Sequence, residues 1–193
     1  MLPKLRDVAQ TRSGLARGVN SLTVQSAYYL HSLWQHAFLN SGMIALAQYG
    51  LLISAVVLII AVVRQRAYVL LPWLAMAALI ATGLNLAAGH LIFDPRPFTI
   101  LHVVPLIPHS TDNGFPSDHS TVAAFMAAAV LFIDIPLGIV AALAALAIGF
   151  ARVYCLVHWP VDVVSGWLIG ALPAIAAVYG WRRYGSFARH HRL

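Results

Sequence analysis

The chain has 193 residues, of which 61% are hydrophobic and only 9% are charged. Soluble domains contain about 25% charged residues, so this composition excludes an ordinary soluble protein and predicts an all-α integral membrane protein of one domain. The net charge of +6 comes from twelve Lys and Arg against six Asp. No basic run with interleaved aromatic residues indicates a nucleic-acid partner, and the excess bears instead on topology and anionic membrane lipids. The single cysteine excludes an internal disulfide.

Five segments are long and apolar enough, or nearly so, to cross the membrane, which takes about 20 residues of helix. They lie at residues 43–63, 68–92, 118–133, 136–156 and 161–180. Residues 21–40 place polar and apolar side chains on different faces. This pattern predicts an amphipathic helix in the interface, or a sixth span if the segment crosses, and the sequence leaves both alternatives open.

These segments predict a single membrane domain with three parts. They are a tail and interfacial helix over residues 1–42, a transmembrane bundle over 43–180, and a basic cytoplasmic tail over 181–193. Two crossings separate Arg64 from the turn near Asp134, and two more separate that turn from the last arginines, so all three share one side. Basic residues favour the cytoplasmic side. The basic N-terminal tail, residues 1–20, then lies outside, so either the rule is overridden there or residues 21–40 cross the membrane. The first twenty residues contain no compact apolar segment with a cleavage site, so no removable signal peptide is expected.

Most ionisable residues near the membrane lie in three short strings. Their sequences are DPRPF at 94–98, FPSDHS at 115–120 and ARVYCLVHWPVD at 151–162. The first two belong to the long loop 93–117 and the third follows two crossings later, so all three emerge on the face opposite the basic side. Ionisable residues at such depth usually face one another or a wet cavity, which predicts a functional site. His109 and Asp112 of the same loop could line the entrance to this site, but solvated loop positions are the favoured expectation.

The three strings contain groups that bind phosphate. Pro116 and Pro160 suit the first turn of a helix, and helix N-termini present free N–H groups and the positive end of the dipole to an anion. Ser117 lies at one of these helix starts. Arg96 and Arg152 add two planar guanidinium groups that match phosphate oxygens. The combination predicts a pocket for an anion.

Two histidines add reactivity to this pocket. His158 and Asp162 are four residues apart across a helix start, so the carboxylate can hold one imidazole nitrogen protonated and leave the other as a nucleophile. His119 comes from a different helix, beside Asp118, and is predicted to be the general acid. The expected reaction is in-line phosphoryl transfer through a phosphohistidine, followed by hydrolysis.

The strings resemble the signature of the type 2 phosphatidic acid phosphatase superfamily of integral membrane phosphatases. Its elements are Lys-x6-Arg-Pro, Pro-Ser-Gly-His and Ser-Arg-x5-His-x3-Asp. The matching residues, in order and spacing, are Arg96-Pro97, Pro116-Ser117-Asp118-His119, and Arg152, His158 and Asp162. Three positions depart from the signature: Gly89 stands where the lysine is expected, Asp118 replaces the glycine, and Ala151 replaces the serine.

The resemblance implies a role for each matched residue. His158 would be the nucleophile, Asp162 its partner and His119 the general acid. The residues that bind the substrate phosphate would be Arg96, Ser117 and Arg152. Beyond the resemblance, we also expect Asp118 at the phosphate site and Asp94, Pro97 and Pro116 in supporting positions around it. Catalysis would need neither a metal nor another cofactor.

Within this superfamily, the strings DPRPF, LIPHSTDNGFPSDHST and ARVYCLVHWPVDV look like one branch, the bacterial BcrC-type undecaprenyl pyrophosphate phosphatases. The resemblance implies hydrolysis of undecaprenyl diphosphate to undecaprenyl phosphate and inorganic phosphate, which recycles the lipid carrier of peptidoglycan synthesis. It also implies a multi-pass protein of the bacterial inner membrane whose site faces the periplasm or cell exterior. Its partners would be the lipid diphosphate and membrane lipids, and the oligomeric state is left open.

Three alternatives stay open at this point. The reaction could be hydrolysis of another lipid phosphate, such as phosphatidylglycerol phosphate or phosphatidic acid, or phosphate transfer onto lipid A. Histidines and aspartates could instead hold zinc or magnesium, although their spacings match no common metal motif. A transporter is less consistent with the sequence, because the charges cluster at one mouth and no inverted repeat is visible.

Overall fold

The computed structural model describes residues 21–184, and the regular secondary structure in this range is helical. The helices are α1 (Ser21–Ser32), α2 (Ala37–Arg64), α3 (Leu71–Leu91), α4 (Pro97–Leu101), α5 (Asp118–Ile133), α6 (Ile135–Tyr154) and α7 (Pro160–Tyr184). Short 3-10 turns at Leu33–Gln35 and Tyr68–Leu70 precede α2 and α3. The parts of the predicted tails at residues 1–20 and 185–193 lie outside the described residues.

Four of the described helices can cross a membrane by length and composition, and a fifth is apolar but shorter. Four segments are long and apolar enough to cross: Ala37–Arg64, Tyr68–Leu91, Ile135–Tyr154 and Pro160–Arg183. α5 is a shorter apolar helix of 16 residues, about 24 Å long against about 30 Å of hydrocarbon. The predicted all-α integral membrane protein is therefore confirmed, and α5, predicted as a fifth span, is an apolar helix shorter than the hydrocarbon thickness.

The helix predicted over residues 21–40 is wrong in its extent. α1 ends at Ser32, and His36 adopts an extended conformation (φ −92°, ψ 91°) after which α2 begins. Residues 37–40 therefore belong to the first span, because side-chain periodicity does not reveal a break in the backbone. α1 has 12 residues, about 18 Å, which is too short for a sixth span. Val24 and Ala27 of α1 pack in one buried cluster with Tyr154 and Trp159 of the third string.

Small residues bring the start of α5 against α7. A β-carbon on Gly166 would lie 2.6 Å from the carbonyl oxygen of Ser117, so only glycine permits this approach. The backbone N–H of Ser117 then donates to the carbonyl oxygen of Asp162 at 3.1 Å. The first turns of α5 and α7 are thereby held together, which positions two of the three strings.

The turn between α5 and α6 forms the opposite end of the bundle. Asp134 begins α6 there: its Oδ1 accepts from the backbone N–H of Leu137 at 3.2 Å, and its Oδ2 accepts from Nε2 of Gln65 at 3.0 Å. Arg182, near the end of α7, donates to the carbonyl oxygen of Phe132 at 3.0 Å. The basic ends of α2 and α7 thus share one end of the molecule with Asp134, and the three strings lie at the other.

Candidate active site

Main-chain hydrogen bonds join the three strings into one unit. Each bond links two different strings or the loop between them: Gly114 N to Asp94 O at 2.8 Å, Ser117 N to Asp162 O at 3.1 Å, and Phe98 N to Leu156 O at 3.1 Å. The indole N–H of Trp159 also donates to the carbonyl oxygen of Pro95 at 2.8 Å. Segments far apart in sequence are therefore fixed by backbone geometry, and their side chains are held in a defined arrangement.

The unit encloses a cavity of about 510 Å³. Six of the predicted site residues line it: Arg96, Pro116, Asp118, His119, Arg152 and His158. The other four lie buried behind its wall: Asp94, Pro97, Ser117 and Asp162. The hydroxyl of Ser117 accepts a hydrogen bond from Ser120 at 3.1 Å, so the structure does not bring this hydroxyl into the cavity wall.

The protonation of His158 follows from its hydrogen bond to Gly114. Nδ1 lies 2.8 Å from the carbonyl oxygen of Gly114, and a carbonyl can only accept, so Nδ1 carries the proton and Nε2 keeps its lone pair. Burial lowers the pKa of His158 well below its usual range, and the nearby Arg152 and Arg96 lower it further. The ring is therefore neutral near pH 7, and Nε2 is available as a nucleophile.

Asp162, which the sequence predicts as the partner of His158, shares Nδ1 of that ring with a backbone carbonyl. Its Oδ2 lies 3.4 Å from Nδ1 of His158, and the same oxygen accepts from the backbone N–H of Trp159 at 2.8 Å. Nδ1 donates its shorter hydrogen bond to the carbonyl oxygen of Gly114. The sequence contains no signal for this contact, because it depends on the path of the loop. Asp162 is placed to stabilise positive charge on the ring and to shape the start of α7.

Arg96 is held on every side by the protein. Its Nη1 donates to the carbonyl oxygen of Val157 at 2.9 Å and lies 3.3 Å from Nε2 of His158. Its Nη2 donates to the carbonyl oxygen of Asn113 at 2.9 Å, and its Nε donates to Asp112 at 3.0 Å. The guanidinium is thus fixed beside Nε2 of His158.

Arg152 has fewer partners than Arg96. Its Nη1 donates to the carbonyl oxygen of Ala47 at 3.4 Å, and its Nη2 donates to Nε2 of His109 at 3.0 Å. Its Nε has no hydrogen-bond partner among residues 21–184. The carbonyl of Ala47 and the ring of His109 are both neutral, and Arg152 lines the cavity, so its guanidinium can attract an anion there.

The floor of the cavity lies between α3 and α5. His119 and Asp118 project from the first turn of α5, and Oδ1 of Asp118 accepts from Nδ2 of Asn85 at 2.6 Å. Oδ1 of Asn85 accepts in turn from the hydroxyl of Thr121 at 2.8 Å. Asn85 is six residues before the end of α3 at Leu91, or about 9 Å deeper. The cavity therefore extends below the end of α3, toward the level of the lipid chains.

Three residues of this site were missed or misjudged at the sequence level: His109, Asn113 and Asn85. His109 was expected to be solvated, but it lines the cavity with its ring centroid 6.1 Å from that of His158. Burial lowers its pKa, followed by the effects of Arg96 and Arg152, so the ring is neutral and accepts from Arg152. A histidine in a polar loop looks solvated unless the fold of the loop is known.

Asn113 joins three segments through a single side chain. Its Oδ1 accepts from the backbone N–H groups of Asp94 and Phe115, at 2.8 and 3.0 Å. Its Nδ2 donates to the carbonyl oxygens of Gly89 and Ile92, both at 2.7 Å. The Asn-Gly pair at 113–114 predicts a turn, but four simultaneous bonds appear only once the loop lies across the end of α3.

The same loop explains the glycine at position 89, where the superfamily signature has lysine. A β-carbon on Gly89 would lie 3.1 Å from the carbonyl oxygen of Phe115 and 3.9 Å from Nδ2 of Asn113. The path of a side chain from this position is therefore occupied by the loop. The cavity contains two arginines and two aspartates, Asp112 and Asp118, so its charge is more balanced than the sequence predicts.

Comparison with known proteins agrees with this arrangement. The PAP2 superfamily matches residues 69–185, a range that contains all three strings. The undecaprenyl-diphosphatase BcrC of Bacillus subtilis (strain 168) is 30% identical over 148 residues, or 74% of this chain and 76% of that protein. Aquifex aeolicus LpxE has a similar fold, with a TM-score of 0.70 at 24% identity over 86% of this chain and 99% of that one. A transmembrane PAP2 type phosphatidylglycerolphosphate phosphatase from Bacillus subtilis gives 0.63 at 22% identity, covering 93% and 92%.

Proposed function

We propose, given that this multi-pass membrane protein belongs to the PAP2 superfamily, that it hydrolyses undecaprenyl diphosphate to undecaprenyl phosphate and inorganic phosphate. The observation that carries the proposal is the lone pair of His158 Nε2, which lies beside Arg96 in a cavity shared with Arg152 and His119. The choice of lipid is supported by the similarity to the undecaprenyl-diphosphatase BcrC.

The first step transfers the terminal phosphoryl group to His158. Nε2 forms a bond to phosphorus while the bond from phosphorus to the bridging oxygen breaks, and His119 gives its proton to that oxygen. The departing molecule is undecaprenyl phosphate. The carbonyl of Gly114 keeps the proton on Nδ1, and the carboxylate of Asp162, 3.4 Å away, offsets the positive charge that the ring acquires.

The second step returns the enzyme to its starting state. A water molecule gives a proton to His119 and attacks phosphorus, the bond from phosphorus to Nε2 breaks, and inorganic phosphate leaves. Arg96 and Arg152 stabilise the charge on the equatorial oxygens in both steps, because their guanidinium groups are held in place before the reaction begins. These steps use only side chains and water.

The depth of the cavity fits a lipid substrate. Its floor at Asn85 and Asp118 lies about 9 Å below the end of α3, and α5 is too short to reach both membrane surfaces. A prenyl tail can therefore stay among lipid chains while its diphosphate enters the polar cavity. A substrate that left the membrane would lose about 0.8 kcal/mol for each CH₂ exposed to water.

We place the site on the outer face of a bacterial inner membrane, where it would recycle the lipid carrier of cell-wall synthesis. The support is the cluster of Arg64, Arg66, Arg182 and Arg183 at the opposite end, since basic residues favour the cytoplasm. Sealed right-side-out membrane vesicles should then release phosphate into the external medium. Release that requires permeabilised vesicles would contradict this orientation.

The experiment that tests the proposal measures phosphate release by the purified protein in detergent. Undecaprenyl diphosphate should give a kcat/KM at least about tenfold above those of phosphatidylglycerol phosphate and phosphatidic acid. His158→Ala should lose at least about 10³-fold, whereas His31→Ala on α1 should keep full activity. The wild type, but not His158→Ala, should yield an acid-labile phosphoenzyme.

Two outcomes would contradict different parts of the proposal. Comparable rates on phosphatidic acid and undecaprenyl diphosphate would remove the assigned substrate but leave a lipid phosphatase. Activity retained by His158→Ala, or transport of substrate across liposomes by that variant, would remove the assigned chemistry.

A further inference from the structure

Arg96 and Asp112 form an ion pair in the wall of the cavity. Oδ1 of Asp112 lies 2.9 Å from Nη2 of Arg96 and 3.0 Å from its Nε. The two side chains differ in exposure, which is 6% for Arg96 and 62% for Asp112. The guanidinium is therefore enclosed by protein, while the carboxylate reaches it from the solvated side.

The other partners of Arg96 are less easily replaced. Nη1 and Nη2 donate to the main-chain carbonyl oxygens of Val157 and Asn113, both at 2.9 Å. Asn113 is held by the four hydrogen bonds of its own side chain. A phosphate that approaches this guanidinium can therefore displace the carboxylate of Asp112 by rotating one exposed side chain, but displaces a carbonyl only by moving backbone.

Carboxylate and phosphate compete for the same kind of donor. Both are anions whose oxygens accept charge-assisted hydrogen bonds from the edge of a guanidinium group. The Nε and Nη2 donors that Asp112 occupies form one such edge. When a phosphate oxygen binds this edge, the carboxylate has to leave it.

We propose that Asp112 is an internal competitor of phosphate, a positioning residue that holds Arg96 in the empty site and is displaced when a phosphoryl group binds. This inference rests on the proposed function and deepens it. Asp112 would weaken the binding of the released inorganic phosphate, because its carboxylate returns to Arg96 as the product leaves. The substrate also has to displace the carboxylate of Asp112 when it binds, but it makes additional contacts through its second phosphate and its lipid chain.

The second arginine of the cavity supports this division of roles. Arg152 lines the cavity and donates to a neutral imidazole, His109, and to the carbonyl oxygen of Ala47, neither of which is an anion. A phosphate can therefore bind Arg152 without displacing an anion. Arg152 would recruit the phosphate, and Arg96 would exchange Asp112 for it.

The test measures the Kd of inorganic phosphate for the purified full-length protein, from the rise in the midpoint of thermal unfolding with phosphate concentration. No lipid substrate is present, so turnover does not enter. Asp112→Asn should bind phosphate about fivefold more tightly than the wild type, the factor expected for an exposed ion pair. This advantage should shrink as salt is raised, because screening weakens the competing carboxylate.

Two further variants separate competition from a structural effect. Asp112→Glu keeps the charge and should bind phosphate as weakly as the wild type. Asp134→Asn removes a carboxylate at the opposite end of the bundle and should leave the Kd unchanged.

The outcomes distinguish this inference from the proposed function. An Asp112→Asn variant that binds phosphate no more tightly than the wild type, or an Asp112→Glu variant that behaves like Asp112→Asn, would overturn the competitor role while leaving the phosphatase proposal intact. A wild-type protein that neither binds phosphate nor hydrolyses the lipid diphosphate would overturn both.

Discussion

The two ends of the helical bundle each contain an arginine–aspartate pair, and the two pairs are built in opposite ways. At the catalytic end the arginine is buried and the aspartate exposed: Arg96 is 6% exposed and Asp112 is 62% exposed, with nitrogen and oxygen 2.9 Å apart. At the other end Asp134 is 3% exposed and Arg64 is 60% exposed, at 3.8 Å. Which of the two residues is buried, the arginine or the aspartate, indicates the role of the pair.

A buried cation with an exposed partner is prepared to exchange that partner for another anion. A buried aspartate that also accepts from Leu137 N and Gln65 Nε2 has a structural task, because it begins α6 and joins it to the end of α2. Its exposed arginine adds little, since solvent and salt screen such contacts. An arginine–aspartate pair can therefore take part in ligand binding at one end of the bundle and stabilise the fold at the other.

The largest effect is expected when lysine replaces Arg96, and almost none when it replaces Arg64. Arg96→Lys should lower kcat/KM about 100-fold, because one ammonium group cannot reproduce donors directed at Asp112, Val157 and Asn113 at once. Arg64→Lys should stay within about twofold of the wild type. Phosphate release from undecaprenyl diphosphate measures both. Equal losses in the two variants would show that the ends do not differ as described.

A smaller effect, on stability alone, is expected at Asp134. Asp134→Ala removes the acceptor for Leu137 N and Gln65 Nε2, which should cost about 1–2 kcal/mol and lower the Tm by several degrees. Asp112→Ala, an exposed position, should leave the Tm nearly unchanged. Thermal unfolding in detergent compares the two variants. A greater loss of stability for Asp112→Ala would mean that this aspartate belongs to the framework rather than to the exchangeable site.

The smallest effect concerns the pH dependence contributed by Asp94, the buried aspartate of the catalytic end. Burial, together with a smaller effect of the neighbouring Asp162, raises the pKa of Asp94 from 3.8 to about 6. The folded state therefore keeps this proton to a higher pH than the unfolded state. Its contribution to the free energy of unfolding is present below pH 3.8 and is lost as the pH rises to about 6.

Asp94→Asn should remove this contribution to the pH profile. The Tm of the variant minus that of the wild type should rise between pH 4 and about pH 6 and then stay constant. Unfolding measured at several pH values gives this difference, in which the titration of groups that do not interact with Asp94 cancels. A difference that does not vary with pH would contradict the assignment of a raised pKa to Asp94.

Much of the architecture could be predicted from the sequence. Continuous apolar runs predict the spans, because a helix in lipid must satisfy its own backbone and present apolar side chains. The boundary between α1 and α2 was misplaced, since His36 breaks the helix through backbone angles that leave the side-chain pattern intact. The three strings also supplied the six predicted site residues that line the cavity, among them Arg96, Arg152 and His158.

The contacts within the site were harder to predict. The bond from His158 to the carbonyl of Gly114, the four bonds of Asn113 and the contact of His109 with Arg152 all depend on loop 93–117. This loop has no periodicity, and a backbone carbonyl is present at every residue. Only the path of the loop decides which carbonyl faces which ring.

The composition and spacing of this chain determined by themselves that it lies in a membrane and that arginine, histidine and aspartate gather at one end, because hydrophobicity and helical rise are local properties. The tertiary structure alone decided which of these groups are enclosed, which nitrogen of His158 carries the proton, and which aspartate is free to leave its arginine. Burial and hydrogen-bond geometry arise from segments far apart in the chain, so no local pattern records them.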